Sequence, residues 1–321
     1  MNIAILGAGA MGCLLASYLC EQAEVWLIDS WQEQIDTITQ TGLSRERDGQ
    51  HSLHHPHASS DPALVGLCDI VLVLVKAHQT RWAAQQAQAL MQQPYSNAAQ
   101  RENPAQAHAL LITLQNGIGN AAILAETLGS EQVSQAVTSL GATLLGPGRV
   151  RHAGMGSTIF ANTSNNVVLD QLIDCLNVCG LPAERSDNLD TLIWSKLIVN
   201  VGINALTALL RVPNGLLTEM PEARNILAQA VAEAVAVASA RGIALAYSNP
   251  VEHVLSVARA TAGNYSSMLQ DILRGSPTEI GMINGAVARA GRELGVPTPV
   301  NDLLSSLVST LDMVNEQGMS A

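Results

Sequence analysis

The chain has 321 residues, with 16 Lys+Arg against 27 Asp+Glu and a formal net charge of −11. Hydrophobic residues make up 48% and charged residues 13%, which excludes a disordered chain; the acidic balance argues against a nucleic-acid partner. The length predicts two domains, and with aromatics at 3% and a single Phe the core is expected to be aliphatic.

Two apolar stretches have the look of membrane or export signals. Met1–Cys20 lacks a basic flank and is broken by glycines, unlike a signal peptide. Leu189–Leu210 carries Lys196, Asn200 and Asn204, which a spanning helix avoids. No basic tail offers a hold on an anionic membrane. Cys13, Cys20, Cys68, Cys175 and Cys179 show no metal-ligand spacing. These features predict a reduced, cytoplasmic protein with no membrane or nucleic-acid partner.

In chain order, short apolar runs alternate with helical patterns. Strands are expected at Ile3–Leu6, Val25–Ile28, Ile70–Val75, Leu110–Leu114 and Val133–Leu140. Helices are expected at Met11–Glu21, Gln32–Thr39, Thr80–Met91 and Asn120–Leu128. The run Ile70–Val75 is apolar at every position, as in a parallel strand buried on both faces. Arg45–Ser60 and Pro94–Ala107 are polar and read as surface insertions. A last α/β section holds Gly146–Gly148 and Arg149–Phe160. From Leu189 the texture becomes helical: Leu189–Leu210, Glu222–Arg241, Pro250–Thr261, Glu279–Leu294 and Asn301–Asn315. The expected architecture is an α/β, doubly wound parallel-sheet domain over residues 1–188, then an all-helical domain over 189–321. A cleft between two such domains is a preferred ligand site.

Gly7, Gly9 and Gly12 stand in G-x-G-x-x-G spacing between a strand and a helix. In the loop Gly7-Ala8-Gly9-Ala10-Met11-Gly12, the first glycine makes the turn and the second admits a pyrophosphate to the backbone. The third lets helix and strand pack closely. Asp29 closes the second strand, where a carboxylate accepts from an adenosine 2′-hydroxyl; the plain alternative is a strand-end Asp capping a turn.

Lys196, Asn200 and Asn204 are four apart in an otherwise apolar helix, so they form one polar seam. Buried amides and an ammonium require polar partners, supplied either internally or by a substrate. Asn116 lies at a strand end in Leu114-Gln-Asn-Gly-Ile-Gly119, a ligand edge or simply a turn. Lys76 follows the apolar strand and is placed to reach a phosphate or ribose, or is solvated. Thr278-Glu279 reads as a helix start. His51, His54, His55 and His57 sit in the first polar segment and read as surface decoration; no metal site is expected.

The motifs GAGAMG, VLVLVKAHQT, LQNGIG, GATLLGPG, WSKLIVNVGINALTALLRVPNG, NYSSMLQD and PTEIGMING, in this order, resemble the ketopantoate reductase family over nearly the whole chain. The resemblance implies a Rossmann domain, a helical C-terminal domain, and reduction of a 2-keto acid to a D-2-hydroxy acid with NADP(H). By position, Lys196 matches the family's general acid and Glu279 the acidic residue close to that lysine and to the nicotinamide ribose of the cofactor. Asn200, Asn204, Asn214, Asn264 and Ser267 match residues that meet the substrate. Asn116, Lys76 and Ala142 match cofactor contacts, Asn116 serving the substrate as well.

Family members commonly carry an Arg after the second strand, whereas this chain reads Ile28-Asp-Ser-Trp31. NAD(H) therefore competes with NADP(H), favoured by Asp29. An NAD-dependent D-2-hydroxyacid dehydrogenase on the same scaffold is the alternative enzyme, and a non-catalytic dinucleotide sensor the alternative outside catalysis. The remaining expectations are a small-molecule 2-keto acid partner and a monomer or homodimer.

Overall fold

The structure is a computed structural model describing residues 1–91, 109–163 and 166–317; the expected insertion Pro94–Ala107 lies outside the described residues. The chain forms two compact units. One comprises Met1–Gln115 with Asn120–Leu189, the other Asn116–Gly119 with Asp190–Ala321.

The first unit runs β1 (Asn2–Leu6), α1 (Ala10–Leu19), β2 (Glu24–Ile28), α2 (Gln32–Thr41), β3 (Leu43–Arg47), β4 (Gln50–His54), β5 (His57–Ser59), β6 (Ile70–Val73), α3 (Thr80–Met91) and β7 (Leu110–Thr113). It continues with α4 (Asn120–Leu128), β8 (Val133–Thr138), β9 (Gly141–Gly146), β10 (Arg149–Gly154), β11 (Thr158–Ala161), α5 (Asn166–Val178) and β12 (Ala183–Ser186). An eight-stranded sheet has the order β12-β11-β8-β7-β6-β1-β2-β5. It is parallel except where β11 pairs antiparallel with β8.

The pleat sends alternate residues to opposite faces. Ile3, Ile5, Ile70, Leu72 and Ile112 enter one core with α1, α2 and α5. Ala4, Leu6, Val71, Val73 and Leu111 enter a second with α3 and α4. Both faces are therefore covered, which is what the uninterrupted apolar run in β6 requires.

Arg45–Ser60, expected as a surface insertion, instead supplies most of β3 and all of β4 to a second sheet. β4-β3-β10-β9 form four strands, with β3 parallel to β10, and β5 joins the edge of the large sheet beside β2. One face of the small sheet is solvated, so its strands are half polar and lack a continuous apolar run. Its inner face covers α1 through Val150, Leu43 and the stem of Arg45, whose guanidinium lies 3.6 Å from the Tyr18 ring centroid. His54 is buried near Glu21 at 3.3 Å, and His57 stacks on Trp26. His54 is thus a packed strand residue, whereas His51, His55 and His57 are exposed, as the surface reading has them.

The second unit comprises α6 (Leu189–Leu210), α7 (Leu216–Glu219), α8 (Pro221–Ala240), α9 (Pro250–Ala260), α10 (Ser267–Arg274), α11 (Asn284–Leu294) and α12 (Pro299–Glu316). The 22-residue α6 is apolar and long enough to cross a bilayer, yet most of it is buried inside the protein. Its Trp194, Leu197, Ile198, Val201 and Leu206 form the core with Leu227 and Val231 of α8, Val254 of α9, Val287 of α11 and Val308 of α12. The helix expected from Glu279 is broken: Ile280–Met282 forms a 3-10 turn before α11. Thr278 donates its hydroxyl to Asp312 of α12 at 2.7 Å, and the Ile280 N–H reaches the Thr278 hydroxyl at 3.4 Å. Thr278 is therefore both a cap and a tether.

Candidate active site

The glycines at the start of α1 have three different physical reasons. Gly7 has φ +112°, and a Cβ there would lie 2.8 Å from the Val75 nitrogen, so the turn against the end of β6 excludes a side chain. A Cβ on Gly12 would lie 1.8 Å from the Gly7 oxygen, as expected where a helix crosses its own strand closely. Gly9 is different: its φ is −75°, and a Cβ would meet nothing within 4 Å. Nothing in the folded chain demands glycine at that position. What it leaves is open space over the first turn of α1, whose N–H groups and dipole favour an anion. The residues present thus fit a dinucleotide pyrophosphate, with Ala10 and Met11 opening the helix beside it.

Asp29 lies at the end of β2 and is buried, at 9% exposed. One carboxylate oxygen accepts from the Ala8 N–H at 2.7 Å and the other from the Trp31 N–H at 3.0 Å. The turn-capping reading therefore holds for one oxygen, while the other anchors the glycine loop. A carboxylate has about four lone-pair sites, so acceptors remain for a ribose hydroxyl. Lys76 precedes a 3-10 turn at Ala77–Gln79, and Ala142 lies in β9 opposite His152.

The expected residues of the helical unit come together around one amide. Lys196 Nζ donates to Asn116 Oδ1 at 2.8 Å, and Asn116 Nδ2 donates to Glu279 Oε2 at 3.3 Å. The carboxylate accepts only, so it fixes which end of the Asn116 amide faces the ammonium. Asn116 reaches this place because Asn116–Gly119 belongs to the helical unit, unlike the flanking strand and helix. The Ile118 N–H donates to the Met282 oxygen at 3.1 Å, and Gly117, at φ +83°, passes so close that a Cβ would lie 2.1 Å from that oxygen. These four residues group by their contacts with the helical unit, while the chain on either side of them groups with the first.

Burial pushes the Lys196 ammonium down from its ordinary 10.5 to about 8, with Glu279 opposing the shift. Glu279 itself is 6% exposed. A lysine with this acidity is charged at neutral pH yet gives up its proton far more readily than a solvated one.

Further along the seam, Asn200 is half-buried and Asn204 buried. Asn214 donates from Nδ2 to the Thr261 hydroxyl at 2.9 Å, and its N–H reaches the Asn264 oxygen at 3.0 Å. Its own Oδ1 is buried and makes no hydrogen bond among the described residues. The Asn264 and Ser267 side chains are exposed. Beside Ser267, Ser266 is the buried hydroxyl: it caps α10 through the Leu269 N–H at 3.1 Å and accepts from Thr207 of α6 at 2.7 Å. The signal for it was the serine pair ahead of the apolar spacing Met268, Leu269, Ile272, an N-cap pattern.

Comparison with known proteins gives one answer. The model described as "Ketopantoate reductase PanE/ApbA" matches residues 3–165, and its C-terminal counterpart matches 188–312. A 2-dehydropantoate 2-reductase from Halobacterium salinarum is 35% identical over 312 residues, covering 96% of this chain and 98% of that protein. Among solved structures, a PanE/ApbA family ketopantoate reductase from Ralstonia eutropha is 33% identical, covering 98% of this chain and all of the other, with a TM-score of 0.87. The ternary structure of D-mandelate dehydrogenase with NADH and anilino(oxo)acetate is 30% identical with a TM-score of 0.86, over 98% of this chain and all of that one. With both family models matched in order along the chain, and glycine loop and lysine each in place, the protein belongs to the ketopantoate reductase family.

Proposed function

We propose that the protein reduces a 2-keto acid to its D-2-hydroxy acid, with Lys196 as proton donor and with NADH used in preference to NADPH. The observation that carries the reading is the chain Lys196–Asn116–Glu279, which joins a buried ammonium of lowered pKa to an oriented amide and a carboxylate. It also argues against a silent sensor, which has no use for an ammonium held ready to give up its proton. The dinucleotide, when bound, supplies hydride to the carbonyl carbon of the substrate.

The residues do the rest. Negative charge grows on the carbonyl oxygen during reduction, and the Lys196 proton neutralises it. Asn116 accepts one N–H of the ammonium, which holds Nζ in place. Asn200, Asn204 and Asn214 hold the polar groups of the substrate. Neutral Lys196 then regains a proton from solvent.

The NADH preference rests on Asp29. A 2′-phosphate beside it would set two anions together, costing about 1 kcal/mol at ~4 Å in water and more at a partly buried site. Losing a hydrogen bond to a charged acceptor adds ~1.5 kcal/mol or more. The sum implies at least a tenfold preference, since ~1.4 kcal/mol is one decade. That D-mandelate dehydrogenase was solved with NADH supports this reading. 2-Dehydropantoate is the first substrate to try, because the curated relatives carry that activity in their names; an aryl 2-keto acid is the second, after the mandelate enzyme. A steady-state assay crossing these acids with NADH and NADPH tests the whole reading: no turnover with any pair removes the enzyme, and equal or better kcat/KM with NADPH removes the role given to Asp29.

A further inference from the structure

Gln34 lies on α2 with no exposed surface, and both ends of its carboxamide are engaged. Nε2 donates to the Ala8 oxygen at 2.8 Å and to Cys13 Sγ at 3.0 Å. Oε1 accepts from the Gly148 N–H at 2.8 Å, in the turn between β9 and β10. The Cys13 thiol also donates to the Ala8 oxygen, at 3.2 Å; burial pushes this thiol up to about 12, so it stays protonated.

Ala8 sits between the first two glycines of the loop, and the peptides on either side of it are held separately. Asp29 takes the N–H of the first. Gln34 takes the C=O of the second, the Ala8–Gly9 peptide. In a planar trans peptide the C=O and N–H point in opposite directions. Holding the Ala8 oxygen inward against α2 therefore turns the Gly9 N–H outward. A Cβ on Gly9 would meet nothing within 4 Å, so the residue that carries this N–H borders open space.

We propose that Gln34 is a positioning residue for the dinucleotide: it fixes the Ala8–Gly9 peptide so that the Gly9 N–H faces the approaching pyrophosphate. The inference rests on the reading of the glycine loop as the dinucleotide site. It explains why a glutamine, with one donor end and one acceptor end, is buried in a helix that is otherwise apolar on its inner face. A leucine would fill the space but leave the Gly148 N–H without this acceptor and the Ala8 oxygen with only the weaker Cys13 thiol as donor.

The test is dinucleotide binding by ligand fluorescence in the apo protein, using whichever of NADH and NADPH the wild type binds more tightly. Hydrogen exchange over the loop peptides is read beside it. Gln34→Met keeps the volume and loses both bonds. Gln34→Glu keeps an acceptor for Gly148 and, when ionised, cannot donate to Ala8, so its binding is measured at alkaline pH, where the carboxyl is charged. Both variants should raise the dinucleotide Kd about five- to tenfold, the worth of roughly one net hydrogen bond. The loss should fall on the dinucleotide KM and not on kcat or the keto-acid KM, with faster exchange at the loop. If Gln34→Met does not fold, Gln34→Glu decides alone. A folded variant of either kind with wild-type Kd overturns the proposal, and so does weakened binding by Gln34→Met with none by Gln34→Glu, which would assign the effect to the Gly148 turn. Gly9→Val separates the two readings. If it too binds normally, the loop is not the dinucleotide site; if it alone loses binding, only the role of Gln34 fails.

Discussion

Raising the pH should switch off keto-acid reduction by removing the proton from Lys196. Its pKa of about 8, lowered by burial, sets the position of the limb. Reduction needs the charged form, so the rate is flat below that value and falls about tenfold for each pH unit above it. At about pH 10 the loss should be about a hundredfold, whereas oxidation of the hydroxy acid, which needs neutral lysine, should rise about tenfold per pH unit up to the same pKa and level off above it. Asn116 makes the limb movable. Its Oδ1 accepts from Nζ at 2.8 Å and so favours the charged form. A hydrogen bond to a charged group is worth ~1.5–3 kcal/mol, and one pKa unit is ~1.36 kcal/mol. Asn116→Ala should therefore move the limb down by about one unit, the lower end being taken because Asn116 is only half-buried. Initial rates at saturating substrate and dinucleotide, followed by nicotinamide absorbance across the pH range, measure both. A limb near the ordinary lysine value, or one that Asn116→Ala leaves in place, would refute the reasoning.

Gly9→Val should fold with wild-type thermal stability, because its side chain enters open space, yet lose dinucleotide binding by at least tenfold in a titration. Replacing Asn200 or Asn204 with Leu should cut kcat/KM for the keto acid by at least tenfold, the effect of one to two lost polar contacts, with dinucleotide Kd unchanged; an unaltered kcat/KM in a folded variant would return these amides to a structural role. Asp29→Asn keeps one acceptor for the loop but removes the charge, so the ratio of NADPH to NADH kcat/KM should rise several-fold, about the decade assigned to the carboxylate. A ratio that stays put would show that Asp29 anchors the loop and nothing more.

The parts of the protein legible in the sequence are those governed by local rules. α6 was readable to its ends, because an apolar helix with a four-residue polar seam has no other reading. β6 was legible because only a strand covered on both faces is apolar throughout. The small sheet was not, since β3 and β4 are polar on their outer face and turn an arginine stem inward where an aliphatic residue is expected. The candidate site shows the same division. Lys196, Glu279 and Asn116 were identifiable by motif, but the transfer of Asn116–Gly119 to the helical unit depends on contacts with Met282 far along the chain. Gln34 was invisible for a similar reason: a glutamine in a helix is ordinary, and only the peptides it holds give it a role.

The most direct test of the account is the single-turnover and steady-state rate of Lys196→Ala with its best 2-keto acid, measured beside dinucleotide binding. Removal of a general acid costs ~10²–10⁴-fold, so kcat should fall within that range and lose its alkaline limb, while the dinucleotide Kd stays at the wild-type value. Wild-type kcat in a folded Lys196→Ala protein, with the limb still present, would contradict the assignment of the proton to Lys196.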